Sequence, residues 1–547
     1  MGDRLVDDEG HHQGCDQRLP SSNKNGKRKR WFYTYTIFQI IISVTVLSVI
    51  VNYYIFKNKI SRKDLLPPLE NNEDIENVQT EHGSGPTGWD SFQIRHIYHH
   101  GAGENYRIHR RLDITPSFIE SQMNVKSLEN IVGNWPQSFM QSDELPWTKK
   151  LNAKKIINQP VRRLKERDPD FIESYLDYAL KAGSEEASKI HLDWSDDLIS
   201  LPNITDKESV ANLLLMCSNA YVEIPGTGDW QDVGDTWNET EGIGWETDGI
   251  RGHVFVNDDN STIIIAIKGT SAQYLNIDGS SDTVNNDKIN DNLLFSCCCA
   301  RVSYMWATVC DCYQSSYTCD QRCLEKEMNR EDRYYKSALH IYKNVTNHYP
   351  NAKNIWLTGH SLGGALASLL GRTFGQPVVT FEAVPELLAT RRLHLPVPPG
   401  LPSHFEHIWH FGHTADPIYM GVCNGASSTC SLAGYALETQ CHSGKQCVYD
   451  VVSDYGWRVN MIHHRIHTVV DDVILAYNET APCVIPPPCH DCFDWKYTAG
   501  DDKSQKTSTA PFTKTTTVAT STSTIPSGDH CIRRNWYGKC LEYDDQD

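Results

Sequence analysis

The segment Gly359-His360-Ser361-Leu362-Gly363 matches the pattern G-x-S-x-G. It directly follows the apolar run N-I-W-L-T and leads into a run of small and apolar residues, G-G-A-L-A-S-L-L. A serine on a sharp turn from a strand into a helix exposes its Oγ as a nucleophile, and flanking glycines let strand and helix approach closely. The alternative is an ordinary glycine-rich turn in which Ser361 caps the helix. We expect a nucleophilic serine that attacks a carbonyl carbon.

A nucleophilic serine needs a general base, and that base needs an acid to hold its tautomer. For this kind of turn, the three groups follow one another in the order serine, acid, histidine. Asp416 fits the second place, because it lies in G-H-T-A-D-P-I directly after the strand predicted at 407–411. Loops that follow strands carry functional residues disproportionately often. The alternative is a turn-forming Asp-Pro pair, but Asp416 is our predicted acid.

The base is one of three histidines, His463, His464 and His467, which crowd the segment M-I-H-H-R-I-H-T-V-V. Only one imidazole can accept the proton of the serine. The other two are expected to be ordinary surface or hydrogen-bonded histidines. The spacing by itself leaves the choice among the three open.

Acyl transfer also needs N–H donors for the developing oxyanion, one from the residue after the nucleophile and one from an earlier turn. Leu362 supplies the first donor. The β-branched run at 262–268 is followed by Gly269-Thr270-Ser271, and Thr270 offers a backbone N–H and a hydroxyl as the second donor. The alternative for this segment is a simple turn.

Two other groups of residues could suggest a metal site. His407, His410 and His413 recur every third residue. In a strand the outer two share one face and His410 lies on the other, so we interpret all three as structural. The four cysteines between 310 and 323 show C-x-C and C-x3-C spacings that match no strong zinc signature. We therefore expect no metal and no cofactor.

Strand-like and helix-like runs alternate through residues 206–480, which predicts an α/β sheet. The predicted strands are 262–268, 354–358, 377–381 and 407–411, and the predicted helices are 330–349 and 363–374. An amphipathic helix is predicted at 171–182, where it would pack against this domain. The fold class is thus an α/β core that carries the serine on a strand-to-helix turn.

Charge and composition exclude some functions. The chain has 547 residues, and its 51 Lys+Arg against 69 Asp+Glu give a net charge of −18. Nucleic-acid binding needs a concentrated basic face, and the dense basic run here is confined to a short N-terminal stretch, so we exclude nucleic acid as a partner. The hydrophobic content of 39% and charged content of 22% fit a globular protein.

An apolar segment at 35–56 is long enough to cross a bilayer as a helix. Basic residues flank it on both sides and modestly favour a cytosolic N-terminus. A cleaved signal peptide is the alternative, but the apolar stretch exceeds an h-region. We predict a signal anchor that places the remainder of the chain in the lumen.

Glycosylation sequons and cysteines agree with that topology. Five N-x-S/T acceptors follow the segment and none precedes it, namely Asn203, Asn238, Asn260, Asn344 and Asn478. Of 18 cysteines only Cys15 precedes the anchor, and the other 17 lie beyond it in clusters, which indicates disulfides in an oxidising compartment. Because 17 is odd, at least one thiol is free or intermolecular.

These features divide the chain into five parts. We predict a cytosolic tail at 1–34, the anchor at 35–56, a lumenal stalk and accessory segment at 57–205, the catalytic domain at 206–480, and a Cys/Pro- and Ser/Thr-rich low-complexity tail at 481–547.

The motifs together resemble the class 3 lipases, whose pattern combines a G-T or G-S oxyanion turn, a G-H-S-L-G-G turn, a D-P acid loop and a late histidine. The resemblance covers roughly 206–480 and implies an α/β-hydrolase-like lipase core. It implies that Ser361 is the nucleophile, Asp416 the acid and His464 the base, with His467 as the alternative base. The oxyanion residues would be Thr270 and Leu362.

The wider arrangement of anchor, sequons, cysteine-rich insertion, H-F-G-H-T-A-D-P-I-Y-M-G and C-N-G-A-S-S resembles the vacuolar autophagy lipases of fungi. That resemblance implies a single-pass type II membrane glycoprotein, carried through the endoplasmic reticulum and multivesicular bodies to the vacuole. There it would hydrolyse glycerolipids, both phospholipid and triacylglycerol, in the membranes of autophagic bodies and other vesicles. Membrane lipids and vesicle membranes are the expected substrate, and the sequence does not identify any protein partner.

The sequence departs from the pattern of secreted class 3 lipases at one place, and two other functions are compatible with it. Phe381-Glu382-Ala383-Val384-Pro385 replaces the F-G-x-P that is common in secreted class 3 lipases. The same fold could instead serve a carboxylesterase of the secretory pathway that acts on cell-wall or feruloyl-type esters. A glycosylated, non-catalytic interaction protein on a degenerate hydrolase fold is the remaining alternative.

Overall fold

The computed structural model describes residues 86–123, 148–221, 230–232, 249–270, 281–301, 308–499, 531–534 and 540–543. They belong to one compact unit, Gly83–Asp547, and the other unit, Met1–His82, lies outside the described residues. The predicted anchor and the Ser/Thr-rich part of the tail are likewise outside them. Within the described part of the chain, no helix combines the length and the apolar character that a membrane crossing requires.

The described strands form one large sheet and two small ones. In chain order they are β1 (Thr87–His100), β2 (His109–Asp113), β3 (Leu151–Leu164), β4 (Trp194–Pro202), β5 (Trp230–Asp232), β6 (Ile250–Asn257), β7 (Thr262–Ile267), β8 (Tyr313–Ser315), β9 (Thr318–Asp320), β10 (Asn354–His360), β11 (Val378–Phe381), β12 (Ile408–His413), β13 (Lys445–Tyr449), β14 (Cys483–Val484), β15 (Lys496–Thr498), β16 (Cys531–Arg534) and β17 (Cys540–Tyr543).

The described α-helices are α1 (Pro116–Met123), α2 (Pro169–Ala182), α3 (Ser184–Ala187), α4 (Lys207–Asn219), α5 (Ser281–Phe295), α6 (Gln321–Met328), α7 (Tyr334–His348), α8 (Leu362–Phe374), α9 (Leu387–Arg392), α10 (Thr429–Leu432), α11 (Val451–Tyr455) and α12 (Ile466–Thr468). Short 3-10 turns occur at Gly103–Asn105, Ser403–Phe405 and Met461–His464, and a π-helix at Val469–Ile474 follows α12.

The large sheet has 12 described strands, and its parallel part carries the predicted site. β7, β10, β11, β12 and β13 are parallel neighbours in that order. β6 pairs antiparallel with β7, and the sheet continues through β1, β2 and β5. Helices connect the parallel strands, as an α/β crossover requires. The α/β prediction is therefore confirmed, with element bounds within a few residues of those expected.

The predicted accessory segment supplies strands to the same sheet. β1 pairs antiparallel with β6 from Phe92 to His100, and β3 pairs with β1 and β4. α2 begins at Pro169 with Asp168 as its N-cap and buries Ile172, Leu176 and Ala179. It packs against α7, where the buried Lys336 forms ion pairs with Glu173 and Asp177 at 3.3 and 3.4 Å. Residues 86–202 and the catalytic segment therefore fold as one packing unit.

Both faces of the sheet are covered, so the central strands are apolar on both sides. Along β7, the side chains of Ile263, Ile265 and Ile267 pack into one core, together with α7 and α8. Ile264 and Ala266 pack into the other core, together with α4 and the helical segment at 466–474. Alternation along a buried strand thus explains why the run 262–268 is apolar throughout.

Among the described residues, seven disulfides link the loops around this sheet, which confirms the prediction that the cysteines form disulfides. They join Cys297 to Cys492, Cys298 to Cys319, Cys299 to Cys310, Cys312 to Cys323, Cys423 to Cys430, Cys441 to Cys489 and Cys447 to Cys483. All four cysteines between 310 and 323 are therefore bonded to other cysteines. Among the described cysteines, Cys217 is free and buried, in keeping with the odd count beyond the predicted anchor.

Removing the long-range disulfide should destabilise the protein more than removing a short-range one. The Cys297–Cys492 bond spans 195 residues, whereas Cys423–Cys430 spans 7. A longer closed loop removes more entropy from the unfolded chain, so we expect Cys297→Ala with Cys492→Ala to lose about 2–5 kcal/mol of unfolding free energy. The matched pair Cys423→Ala with Cys430→Ala should lose less. Thermal unfolding without reductant measures both, and an equal or reversed order would contradict the prediction.

Candidate active site

Ser361 occupies a sharp turn between the end of β10 and the start of α8. Its φ of +58° lies in the left-handed region, which is strained for a residue with a side chain. A Cβ on Gly359 would lie only 2.3 Å from the carbonyl oxygen of Gly363, so glycine is required there. Ser361 stands at the N-cap position of α8, but its side chain makes no capping hydrogen bond. The hydroxyl of Ser361 therefore does not cap the helix, and the alternative of a simple capping serine is wrong.

Three predicted site residues lie within hydrogen-bond distance of one another. The Oγ of Ser361 is 2.8 Å from Nε2 of His464, and Nδ1 of His464 is 2.6 Å from Oδ2 of Asp416. Ser361, His464 and Asp416 are 6%, 2% and 0% exposed. A carboxylate that accepts from the Nδ1–H of His464 leaves Nε2 with a lone pair facing Ser361. This is the geometry in which a histidine can remove the proton of a serine.

Asp416 is the last residue of this hydrogen-bonded series, and it stays ionised. Burial alone would raise its pKa, but the adjacent His464 and the hydrogen bond to it hold the pKa well below the usual range. The second oxygen, Oδ1, accepts from the backbone N–H of Ile418 at 2.8 Å. An ionised Asp416 can therefore orient the imidazole and stabilise its protonated form.

The structure separates the three clustered histidines. His464 ends a 3-10 turn and points to Ser361, whereas His463 stacks on Trp457 with ring centroids 4.5 Å apart. His467 lies on the next short helix, and burial lowers its pKa. Of these three, only His464 contacts both Ser361 and Asp416. The turn at Met461–His464 therefore directs His464 toward Ser361, which the spacing of the three histidines did not predict.

The two predicted oxyanion residues flank the serine. Leu362 is the first residue of α8, so its N–H is one of the unpaired donors at a helix N-terminus. The turn that carries Thr270 also touches the site, because a Cβ on Gly269 would lie 3.2 Å from the Cβ of Ser361. The hydroxyl of Thr270 donates to Asp291 at 2.8 Å. Its backbone N–H is therefore the group that remains for an oxyanion.

Two functional neighbours were missed by the sequence analysis. His360 is buried and donates from Nε2 to the carbonyl oxygen of His464 at 2.9 Å. Its Nδ1 consequently accepts from the hydroxyl of Tyr221 at 2.7 Å. Burial, together with the neighbouring His464, lowers the pKa of His360 to about 3, so it stays neutral. His360 could have been noticed inside G-H-S-L-G. Its partner Tyr221 lies on a distant segment, and no local pattern connects the two residues.

Glu382, the residue after β11, lies behind Asp416 in an unusual state. It is fully buried, and its φ of +45° is one that glycine adopts more readily. This is the position where the sequence departs from F-G-x-P. Burial and the negative charge of Asp416 raise the pKa of Glu382 well above its usual value. Glu382 is thus a neutral carboxylic acid beside an ionised one.

Comparison with known proteins identifies close relatives. The family described as Lipase (class 3) matches residues 285–390. A protein of Meyerozyma guilliermondii named "Putative lipase ATG15" is 50% identical over 507 residues, covering 84% of this chain and 89% of that protein. Proteins of the same name from Pichia angusta and Saccharomyces cerevisiae are 55% and 52% identical, and each match covers 83% of this chain and 82% and 89% of the respective protein.

Solved structures are similar over shorter stretches. The Lip2 lipase of Yarrowia lipolytica is 19% identical with a TM-score of 0.20, over 36% of this chain and 60% of that one. A Rhizomucor miehei lipase propeptide complex is 16% identical with a TM-score of 0.20, over 44% of this chain and 59% of that one. The chain thus spans less than two thirds of either lipase, and likenesses with such low TM-scores add nothing to the fold described above.

Replacing Glu382 by glutamine should change how stability depends on pH. Because the folded-state pKa of Glu382 is raised, the native protein keeps a proton that the unfolded chain loses above about pH 4.3. The contribution of Glu382 to stability therefore falls as pH rises through this window, by up to about 1.4 kcal/mol per pH unit. Glu382→Gln removes that contribution, so the stability of the variant relative to wild type should rise with pH.

Melting temperatures of both proteins between about pH 5 and 8 test this expectation. Glu208→Gln is the matched control, because Glu208 is exposed and its removal should leave the wild-type slope unchanged. Parallel curves for wild type and Glu382→Gln would show that Glu382 is ionised in the folded protein.

Proposed function

The chain belongs to the class 3 lipase family, among the ATG15 lipases, and we propose that it hydrolyses the carboxylic ester bonds of glycerolipids through Ser361. The observation that carries this proposal is the continuous hydrogen-bonded path from Asp416 through His464 to the Oγ of Ser361. Such a path is what acyl transfer to a serine requires.

The reaction follows from the positions of these groups. His464 takes the proton of Ser361 as Oγ attacks the ester carbonyl, and Asp416 stabilises the imidazolium. The N–H groups of Leu362 and Thr270 receive the oxyanion of the tetrahedral intermediate. His464 then donates its proton to the departing alcohol, which leaves an acyl-enzyme. A water molecule, deprotonated by His464, releases the fatty acid and restores Ser361.

His360 and Tyr221 act as positioning residues in this scheme. The donation from His360 to the carbonyl oxygen of His464 fixes the backbone of the base without using its ring nitrogens. The hydroxyl of Tyr221 fixes the tautomer of His360 in turn. Both side chains are buried, so their hydrogen bonds do not compete with water.

Exposed apolar side chains on the loops of the acid and the base favour a lipid substrate. The loop after Asp416 exposes Met420 and Val422, and the segment before His464 exposes Val459 and Ile462. Apolar side chains that remain in water often mark a surface that meets a partner or a membrane. We therefore propose phospholipids and triacylglycerols as substrates, including those of vesicle membranes in autophagic bodies.

We further propose a type II topology, with the anchor at 35–56 and the lipase domain in the lumen of endosomes and the vacuole. Seven disulfides support an oxidising compartment. The sequons at Asn260 and Asn478 lie on exposed residues. Asn203 is buried, and its Oδ1 accepts from Thr205, which disfavours a glycan there. Asn344 is half-buried on α7, and Asn238 lies outside the described residues.

Loss of Ser361 or His464 should abolish ester hydrolysis. We expect Ser361→Ala and His464→Ala to release fatty acid at least about 10³-fold more slowly, because each removes a partner in the same proton transfer. Asp416→Asn should also fall by about that factor, since it favours the wrong tautomer. The assay uses the full chain from an oxidising host, with phospholipid vesicles, triacylglycerol emulsions and feruloyl esters.

His467→Ala is the matched control and should keep activity within a few-fold of wild type, because His467 contacts neither Ser361 nor Asp416. Unchanged hydrolysis by Ser361→Ala would refute the serine mechanism. A preference for feruloyl esters over both lipids, with the serine still required, would instead favour the cell-wall esterase.

Glycan mapping tests the proposed topology. We expect Asn260→Gln and Asn478→Gln each to remove one endoglycosidase-sensitive step in gel mobility, because both acceptors are exposed. Asn203→Gln should leave the mobility unchanged, because that side chain is buried. Absence of glycans at both Asn260 and Asn478 in the native host would argue against a lumenal domain.

A further inference from the structure

A buried polar cluster outside the active site consists of Glu386, His410 and His442. All three side chains are 0% exposed. Glu386 directly precedes α9, His410 lies in β12, and His442 precedes β13. A carboxylate and two imidazoles in a water-free interior need partners for every polar atom.

The outer atoms of these side chains have such partners. His442 donates from Nε2 to the carbonyl oxygen of Tyr419 at 2.9 Å. Oε1 of Glu386 accepts from the backbone N–H and the hydroxyl of Ser443. Nδ1 of His410 lies 2.8 Å from the hydroxyl oxygen of Thr380 and can donate to it. These contacts fix the orientation of all three groups.

The inner atoms have no such partners. Oε2 of Glu386, Nε2 of His410 and Nδ1 of His442 are buried and make no hydrogen bond to any described residue. Nε2 of His410 is 3.4 Å from Oε1 of Glu386, and Nδ1 of His442 is 3.6 Å from Oε2. One atom from each of the three side chains can be chosen so that all lie within 4.8 Å of one another. Three convergent ligand atoms, among them two unpaired imidazole nitrogens, are thus enclosed in the protein.

The separations are those of metal ligands and not of hydrogen bonds. Hydrogen bonds between such atoms are about 2.7–3.2 Å long. Two ligands that each lie about 2.0–2.1 Å from a tetrahedral ion are about 3.3 Å apart. The observed 3.4 and 3.6 Å are close to the second value.

We infer that Glu386, His410 and His442 bind one divalent transition-metal ion, and that zinc is the ion that this donor set fits best. Two imidazoles and a carboxylate are a recurring zinc ligand set. The contacts to Tyr419, Ser443 and Thr380 are the outer partners that hold metal ligands in place. This inference departs from the sequence-based expectation that His410 is structural and that the chain binds no metal.

The ion would link three segments of the chain next to the loop that carries Asp416, without contacting the substrate. Its ligands come from the start of α9, from β12 and from the segment before β13. Tyr419 ties them to the loop that begins at Asp416, because its carbonyl accepts from His442 and its hydroxyl donates to the carbonyl of His410 at 2.9 Å. The ligands would therefore act on the reaction only through the position of Asp416.

Metal content of the full-length protein is the direct test, and it does not depend on lipase activity. The chain is expressed with zinc in the medium, purified in detergent and analysed by elemental mass spectrometry. We expect about one zinc per chain in the wild type and less than about a tenth of that in Glu386→Gln and His442→Gln. 1,10-Phenanthroline should lower the melting temperature of the wild type and leave that of Glu386→Gln unchanged.

His109→Gln is the matched control, because His109 belongs to a second, partly exposed histidine cluster with His100 and His340. It should keep the full zinc content. Zinc lost in His109→Gln and retained in Glu386→Gln would assign the metal to the other cluster and overturn the inference. Wild-type protein with less than about a tenth of an equivalent of any transition metal would also overturn it, and would leave Glu386 and the histidines as a buried polar network.

X-ray absorption of the zinc-loaded wild type keeps the inference testable if the variants fail to fold. Two imidazole nitrogens and oxygen ligands at about 2.0–2.2 Å are expected. Sulfur ligands or three imidazoles would contradict the assignment.

Discussion

The left-handed backbone of Ser361 is the constraint on which the rest of the site depends. It lets β10 turn into α8 within one residue, so that Oγ projects from the edge of the sheet while Leu362 presents its N–H beside it. That turn forms only if Gly359 has no side chain, because the first turn of α8 lies against it. Parallel strands on both sides then place the acid loop and the oxyanion turn at the same edge. The backbone strain at Ser361 is compensated by the packing of the many residues around it.

Polar groups buried behind the serine form successive layers. His464 and Asp416 make up the first layer, and His360 supports the base through its backbone. Glu382 lies beyond Asp416 and is kept neutral, which avoids a second negative charge in the interior. Glu386 belongs to a further cluster with two histidines. Glu382 is neutral because an isolated buried charge is too costly to retain.

The accessory strands and the disulfides stabilise this arrangement from outside. β1 extends the sheet beyond β6, and α2 covers one face of the core together with α7. The disulfide between Cys297 and Cys492 ties the cysteine-rich insertion to a distant part of the chain. Many cross-links around this sheet suit an environment in which thiols are oxidised.

The sequence by itself determined the fold class and predicted the strand-to-helix turn at Ser361 and the loop at Asp416, because these rest on local patterns: an apolar strand, a G-x-S-x-G turn and an Asp-Pro after a later strand. Only the tertiary structure decided which of three adjacent histidines contacts Ser361, since the turn at Met461–His464 sets their directions. It also brought together Glu386, His410 and His442, which lie 24 and 32 positions apart along the chain. Contacts between distant segments depend on strand order and on the direction of each side chain, and neither is written in local spacing.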